Sequence, residues 1–360
     1  MPLKRIIDPS MLLLAEHDLE SLGALLSAGD GNPAHARAIL RAFYTHGPDA
    51  CRDLHNVGNR VKALVNEGPL VGSRVASKHV SADGTAKLRV AFDGEGSAGG
   101  SVESVLMMGF KPDIAAGCVS SQIGCAMGCD FCASTINGLD RNLTAGEIAE
   151  QFLHLKQLAS TMGRRLKTIV FMGMGEPMLN LDAVIAAIRR IAHPDLGSLG
   201  WRHITVSTVG IVPGIDRLAA EDLNVHLALS LHAPDDETRT KLIPSNRRWS
   251  VAEVMDAARR FYDRTRRIPT IEYTMLADVN DSPEQAEALA GLMENFRAHV
   301  NLIPYNAIGP GVSGTIYARP ARERMTRFLD ILRARKVVAH FRHTRGDDVS
   351  AACGQLIARS

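Results

Sequence analysis

The sequence predicts an α/β protein: a parallel sheet wrapped by helices, preceded by a small helical module and a β-hairpin. Three observations lead there. From residue 118 to about 310, short apolar strands alternate with helical stretches, the pattern of a parallel sheet with crossover helices. Between 71 and 117 the apolar period is that of strands, interrupted by the hairpin turn Asp83-Gly84. Before residue 70 apolar side chains recur at helical spacing. The expected division is therefore 1–70 as a helical accessory domain, 71–117 as a hairpin connector and 118–360 as the core.

The 360 residues are 46% hydrophobic, enough for a substantial core. Six cysteines, clustered rather than spread, argue against a disulfide framework and for a reducing compartment. The run Met11-Leu-Leu-Leu-Ala15 is too short for a signal peptide or a membrane span, so a soluble cytoplasmic protein is expected. A net charge of +2 does not mark a nucleic-acid binder, but its distribution is uneven. Lys241 to Thr270 is net +5 and Arg319 to Arg345 net +7. These stretches form either a basic face or ordinary solvated Arg-rich helix faces.

Taken in order, Leu19, Leu22, Leu25 and Leu26 make one helical face, ended by Gly29-Asp-Gly-Asn-Pro33. A second helix runs through Ile39, Leu40 and Phe43, and a third carries Val61, Leu64 and Val65. Strands Val71–Val80 and Ala86–Phe92 flank the hairpin turn, and a glycine-rich loop, Gly94 to Gly100, leads into strand Ser101–Met108. Glu103 on that strand reads, by sequence alone, as an exposed carboxylate. Thr144 and Glu147 form a capping box for a helix through Ile148, Phe152 and Leu155.

Strand Thr168–Met172 ends in Gly173-Met-Gly175-Glu176-Pro177, where a glycine lets a ligand approach and a carboxylate can hold an ammonium group. Strands Ile204–Val209, Val225–Leu231, Thr270–Met275 and Val300–Tyr305 follow, then helix Glu323–Arg335 and strand Val337–His343. Their carboxyl ends carry Ser207, Ser230-Leu231-His232 and Asn306, a repetition of polar groups on one rim that a barrel active site requires.

Cys125, Cys129 and Cys132 have the spacing C-x3-C-x2-C with Phe131 before the last. No fourth cysteine or histidine lies nearby downstream, since the next residues of either kind are His154 and Cys353. Three ligands and an open position indicate a [4Fe-4S] cluster whose fourth iron binds a substrate or cofactor. The alternatives are a zinc site completed from a distance, and three unrelated core cysteines. Cys353 lies among small and polar residues typical of a loop; it is either incidental or one of a reactive pair with Cys118.

The cysteine spacing with its aromatic closely resembles the signature of the radical S-adenosylmethionine (SAM) superfamily. More of the chain joins it: Cys118-Val-Ser-Ser-Gln, Arg141-Asn-Leu-Thr144, Gly173-Met-Gly175-Glu176-Pro177, Ser230-Leu-His232-Ala, Arg345-Gly-Asp-Asp348 and Ala352-Cys353-Gly-Gln355. Together these resemble the RlmN/Cfr family, radical SAM methyltransferases acting on adenines of RNA. The likeness covers nearly the whole chain and implies a partial (β/α) barrel with an N-terminal RNA-binding domain.

The resemblance implies that Cys125, Cys129 and Cys132 ligate the cluster. Gly175, Glu176, Ser207, Ser230, Leu231, His232 and Asn306 match positions that bind SAM. Two SAM molecules per turnover are implied, one methylating Cys353 and one cleaved to a 5′-deoxyadenosyl radical that removes hydrogen from that methyl group. Glu103 matches the proton acceptor at the ring carbon, and Cys118 the thiol that resolves the protein–RNA adduct through a disulfide. Carbon 2 of an adenine in 23S ribosomal RNA is the expected target, with tRNA as a further one. The alternatives are carbon 8, which would confer antibiotic resistance, and a non-catalytic RNA-binding protein with a structural metal. An electron donor such as flavodoxin and a monomeric state are also implied. Arg-rich stretches would contact phosphates, with Phe261 and Tyr262 as stacking partners. One departure stands beside the cluster: the family's usual Ser/Ala-Thr-Gly is here Ala133-Ser134-Thr135, which predicts an altered loop and a different RNA target.

Overall fold

The computed structural model describes residues 12–94, 97–342 and 345–357. Met11 of the apolar run, residues 95 and 96 of the glycine-rich loop, and His343 at the end of the last expected strand lie outside the described residues.

Strands β1 (Arg74–Val80), β2 (Ala86–Ala91), β3 (Ser101–Met108) and β4 (Ile114–Cys118) pair antiparallel in sequence. A small two-stranded ribbon, β5 (Gln122–Gly124) with β6 (Leu139–Asn142), brackets the three-cysteine loop. Beyond β4 the sheet continues in parallel through β7 (Arg165–Phe171), β8 (Ile204–Thr208), β9 (His226–Ser230), β10 (Thr270–Met275), β11 (His299–Pro304) and β12 (Val338–Phe341). The result is one open ten-stranded sheet with β1 and β12 at its edges. The parallel part is the expected partial barrel, and the hairpin strands extend the same sheet.

The helices follow from local signals. Helices α1 (Leu19–Ala28), α2 (His35–His46), the short α3 (Pro48–Arg52) and α4 (Asn59–Glu67) form the N-terminal module. Leu22, Leu26, Ile39, Leu40, Phe43, Val61 and Val65 are its buried positions, as helical spacing requires. Helix α5 (Ala145–Thr161) opens with the expected capping box, Thr144 and Glu147 each satisfying the other's backbone. It buries Ile148, Phe152 and Leu155 against the sheet. Ser250 with Glu253 starts α9 (Val251–Thr265) in the same way, as Ser282 with Gln285 starts α10 (Pro283–Leu292). The crossover helices α6 (Leu181–Ala192) and α7 (Val212–Ala220), the shorter α8 (Asp236–Leu242) and the final α11 (Arg322–Ala334) complete the chain.

Helix α5 is the seam between module, hairpin and barrel. The Glu16 carboxylate accepts from Gly146 N at its first turn (3.1 Å), and Lys156 Nζ donates to Tyr44 O (2.8 Å). Glu150 Oε1 accepts from Gly72 N (2.9 Å), and His154 Nε2 meets Ser73 Oγ (2.9 Å). Gln151 is fully buried and uses both ends of its amide. Its oxygen accepts from Ser104 Oγ and Ser120 N (2.8 Å each), and its nitrogen donates to Ser120 O (3.0 Å). Ser120 Oγ in turn donates to Glu103 O (2.7 Å), so one glutamine fixes the strand bearing Glu103 to the segment following Cys118.

Two predictions follow from this seam. Gln151→Ala leaves Ser104 and Ser120 with unmet buried groups and should cost about 1–3 kcal/mol in urea unfolding. Burial pushes the Glu150 carboxyl up from 4.5 to about 7, and Glu150 Oε2 has no partner. A carboxyl raised on folding stabilises below its unfolded pKa, and that contribution is lost as pH rises through the folded value. Glu150→Gln should therefore be more stable than wild type at pH 8, by about 3 kcal/mol, with the difference vanishing near pH 4.5.

Candidate active site

The carboxyl ends of β7 to β11 meet the three-cysteine loop around one cavity of about 150 Å³. Its walls include Cys125, Cys129, Cys132, Gly175, Glu176, Ser207, Ser230, His232, Asn306 and Cys353. Ten residues singled out from sequence, spread over more than half the chain, thus reach one space. Leu231 does not line it: the side chain is fully buried elsewhere, and its backbone N–H donates to Glu272 O (3.1 Å). Glu103 and Cys118 stand behind the Cys353 side of the cavity.

Two glycines of the β7 turn make the approach of the cysteine loop possible. Gly175 has φ +97°, and a Cβ there would lie 2.6 Å from Gln122 Cβ. The turn is tied to the loop by Glu176 N donating to Gln122 Oε1 (2.8 Å) and Ser121 N to Met174 O (2.9 Å). Backbone N–H groups of Met127 and Gly175 point at the Cys125 sulfur, and that of Ser134 at Cys132.

Burial pushes the thiols up, Cys125 to about 12 and Cys129 well above its usual value, with the neighbouring cysteines adding to the rise. Three mutually repelling thiols in a dry site ionise only with a bound cation present. Among the described residues no three His, Cys, Asp or Glu side chains converge as a single metal ion needs. Thiols that share a cavity wall without converging on a point suit a cubic iron–sulfur cluster, where each thiolate ligates its own iron, better than zinc.

Glu176 is buried, with Oε1 accepting from Met178 N (3.0 Å) and Oε2 from Val209 N (2.9 Å). Burial still raises its carboxyl to about 7, leaving an acceptor suited to an ammonium group. His232 takes the left-handed backbone region, φ 59°. Its Nδ1 accepts from Thr274 N (2.8 Å), and its ring meets Phe131 edge-on at 4.8 Å. Burial lowers it to about 3, so the ring is neutral and presents Nε2–H. Ser207 and Ser230 hydroxyls lie 3.5 Å apart on adjacent strands.

Cys353 sits in a loop held at several points. Asn306 Nδ2 donates to Cys353 O (3.2 Å), Lys87 Nζ to Ser350 O (3.1 Å) and Ile357 N to Glu103 Oε2 (3.0 Å). Asp348 receives Ser81 Oγ (2.5 Å) and Ala82 N (3.1 Å) from the hairpin turn, and Asp83 receives Gly346 N (3.2 Å). Cys118, at the end of β4, is buried, and desolvation pushes its thiol to about 12, with Cys353 as the next contributor. All six cysteines are free, so the expected disulfide is no part of this state of the protein.

The structure corrects three readings. Glu103 is not exposed: it is buried, and Lys87 Nζ lies 2.9 Å from its Oε1. Phe261 is buried in the core on the inner face of α9 and cannot stack on a base; Tyr262 beside it is half-buried. Part of the charge of the Arg-rich stretches is paired with acids from elsewhere. Arg260 pairs with Asp216, Arg324 with Asp278 and Asp281, and Arg335 with Glu287 and Glu294.

Arg342, read from sequence as a phosphate contact, instead lines the cavity. Its Nη1 lies 3.6 Å from Glu272 Oε2, and Cys353, Glu272 and Cys118 hold its guanidinium above the usual range. Glu272 was legible only as a charge inside an apolar strand, and Lys87 carried no signal of its own.

The altered loop also has a physical account. Ala133–Thr135 forms a single 3-10 turn beneath the Cys353 loop. Ala133 N donates to Gly354 O (2.7 Å) and Ser134 Oγ to Leu356 O (2.6 Å). Thr135 Oγ1 turns back to Cys132 O (2.9 Å). Ser134 thus supplies a hydroxyl where the family pattern has threonine. Ser134→Ala should speed amide exchange in Ala352–Ile357 about tenfold, as loss of about 1–1.5 kcal/mol locally predicts, while Ser134→Thr should not.

Residues 119–290 match the model of the radical SAM superfamily. A curated relative from Opitutus terrae, named "Probable dual-specificity RNA methyltransferase RlmN 1", is 47% identical over 96% of this chain and 97% of its own length. The protein of that name without the numeral from Symbiobacterium thermophilum is 40% identical over 100% of this chain and 96% of its own. Among solved structures, a radical SAM methyltransferase from Sphaerobacter thermophilus superposes with a TM-score of 0.89 at 41% identity, covering 97% of this chain and 100% of that one. With the three cysteines, the Gly-Glu-Pro turn and the Cys353 loop gathered around one cavity, this chain belongs to the RlmN family of radical SAM RNA methyltransferases.

Proposed function

We propose that the protein methylates carbon 2 of an adenine in 23S ribosomal RNA, and in tRNA, through Cys353 as the methyl carrier. The carrying observation is that Cys353 opens onto the same cavity as Cys125, Cys129, Cys132 and Glu176, with Cys118 and Glu103 adjoining it. Cys125, Cys129 and Cys132 would hold a [4Fe-4S] cluster. Glu176, Ser207, Ser230, His232 and Asn306 would seat SAM, with Glu176 on its amine and Leu231 contributing only backbone. When bound, cluster and SAM supply the methyl group and the one-electron chemistry that an electron-poor ring carbon demands, and each turnover would consume two SAM molecules.

The chain's own residues divide the remaining work. Cys353, half-buried at the cavity wall, holds the one-carbon unit on sulfur, and Glu103 takes the proton from the substituted ring carbon. Lys87, 2.9 Å from its Oε1, holds that carboxylate in place. The Ile357 N–H now on Glu103 Oε2 has to move when the base arrives, so RNA entry and movement of the Cys353 loop are coupled. Cys118 attacks the Cys353 sulfur. A sulfur–sulfur bond forms, the sulfur–carbon bond breaks with its electron pair on carbon, and a proton completes the methyl group. That disulfide is a transient of turnover and must be reduced by a thiol or dithiol donor. An unstacked nucleotide is required to reach the cavity.

Mass spectrometry of ribosomal and transfer RNA from cells with and without the gene tests this reading. Loss of 2-methyladenosine in the deletion strain is expected; a change in 8-methyladenosine alone would move the activity to the other ring carbon. Cys118→Ala purified from cells should carry covalently bound RNA with its iron and sulfide intact, and its absence would remove Cys118 from the resolving step.

A further inference from the structure

Arg239 on α8 is among the largest fully buried side chains of the described residues, and it is a cation. Its Nε donates to Leu231 O (3.0 Å), and Nη2 to Val209 O (2.5 Å) and Ser230 O (3.2 Å). Nη1 donates to Asn246 Oδ1 (2.7 Å). Every acceptor is neutral, and none of the ion pairs among the described residues includes Arg239. Asp236 makes no direct bond to it and acts from a distance, joined through Asn246, whose Nδ2 donates to Asp236 Oδ1 (2.9 Å). A cation buried without an anion is unfavourable unless something compensates it.

What lies opposite is the three-cysteine loop. Leu242 O, one turn from Arg239, accepts from Asp130 N (3.0 Å). Leu242 and Ile243 pack with Cys129 and Phe131 in one apolar cluster. Cys129 thus lies across this dry layer from the helix that carries Arg239. The carbonyls that Arg239 gathers belong to the strand ends whose side chains, Val209 and Ser230, line the cavity. The fixed positive charge therefore sits directly behind the site where three thiolates would gather. A thiolate-ligated cluster is net negative and becomes more so on reduction. A desolvated cation nearby favours the reduced form over the oxidised one.

We propose that Arg239 is a positioning residue that acts through Cys129 and the cluster: its uncompensated buried charge sets the potential at which the cluster accepts an electron. This rests on the assignment of Cys125, Cys129 and Cys132 as cluster ligands. The electron comes from an external one-electron reductant, and Arg239 is neither oxidised nor deprotonated in the step.

The test is a dithionite titration of the full-length protein, reconstituted anaerobically with iron and sulfide and followed by electron paramagnetic resonance. Arg239→Gln should load iron and sulfide as wild type does yet be reduced at least 59 mV lower, a tenfold change in the equilibrium of a one-electron couple. Arg239→Lys, which keeps the charge, should recover most of that shift. A fully loaded Arg239→Gln protein with an unchanged potential would overturn the proposal. Should that variant not fold, Arg239→Met, similar in length and uncharged, takes its place. The same downward shift is expected, and an unshifted potential there is equally fatal. Wild-type protein that assembles no iron and sulfide would overturn the cluster assignment itself, and this inference with it.

Discussion

The site depends on two backbones lying closer than side chains allow. Gly173 and Gly175 pass over Ser120 and Gln122, where a Cβ on either glycine would fall within 2.6 Å of a neighbouring atom. That approach lets Met174 N donate to Ser120 Oγ (2.9 Å) and Glu176 N to Gln122 Oε1 (2.8 Å). The end of β7 and the root of the cysteine loop become one unit. Glu176 then faces the cysteines across one cavity, which a carboxylate and three thiols share.

Around that unit the parallel sheet does simple geometric work. Strands β7, β8, β9 and β11 carry polar groups at or just past their carboxyl ends, so one rim receives Glu176, Ser207, Ser230, His232 and Asn306. The left-handed backbone of His232 and the buried guanidinium of Arg239 are the costs of turning two strand ends tightly inward. Both are held by hydrogen bonds to neighbouring strands, so the rim resists local relaxation.

The opposite side of the cavity is built differently. Cys353 comes from a loop with little secondary structure, pinned by Asn306, Ser134, Lys87, Glu103 and the hairpin turn at Ser81–Asp83. Many single hydrogen bonds distributed over distant elements hold a segment in register while leaving each contact individually weak. This suits a residue that must meet both a buried cofactor site and an incoming base. The hairpin, set beside the barrel by sequence, turns out to be the support for that loop.

Sequence alone determined the order of the main strands, the capping box of α5, the strand ends that carry polar residues, and the cysteine spacing. These are local properties: periodicity, capping and ligand spacing are written within a few residues of one another. The limits of β3 and of β7 through β11 agree with the expected ones to within three residues for the same reason, whereas β4, β5 and β6 were not expected. Only the tertiary structure decided the charge states and orientations. Glu103 lies buried beside Lys87, Phe261 faces inward, and acids from other elements pair with some of the arginines, Arg260, Arg324 and Arg335 among them. Arg342 turns towards Cys118 and Cys353, and Arg239 stands uncompensated behind Cys129. An ionisable group's role depends on what surrounds it across the fold, and that surrounding comes from residues tens to hundreds of positions away, which no local pattern contains.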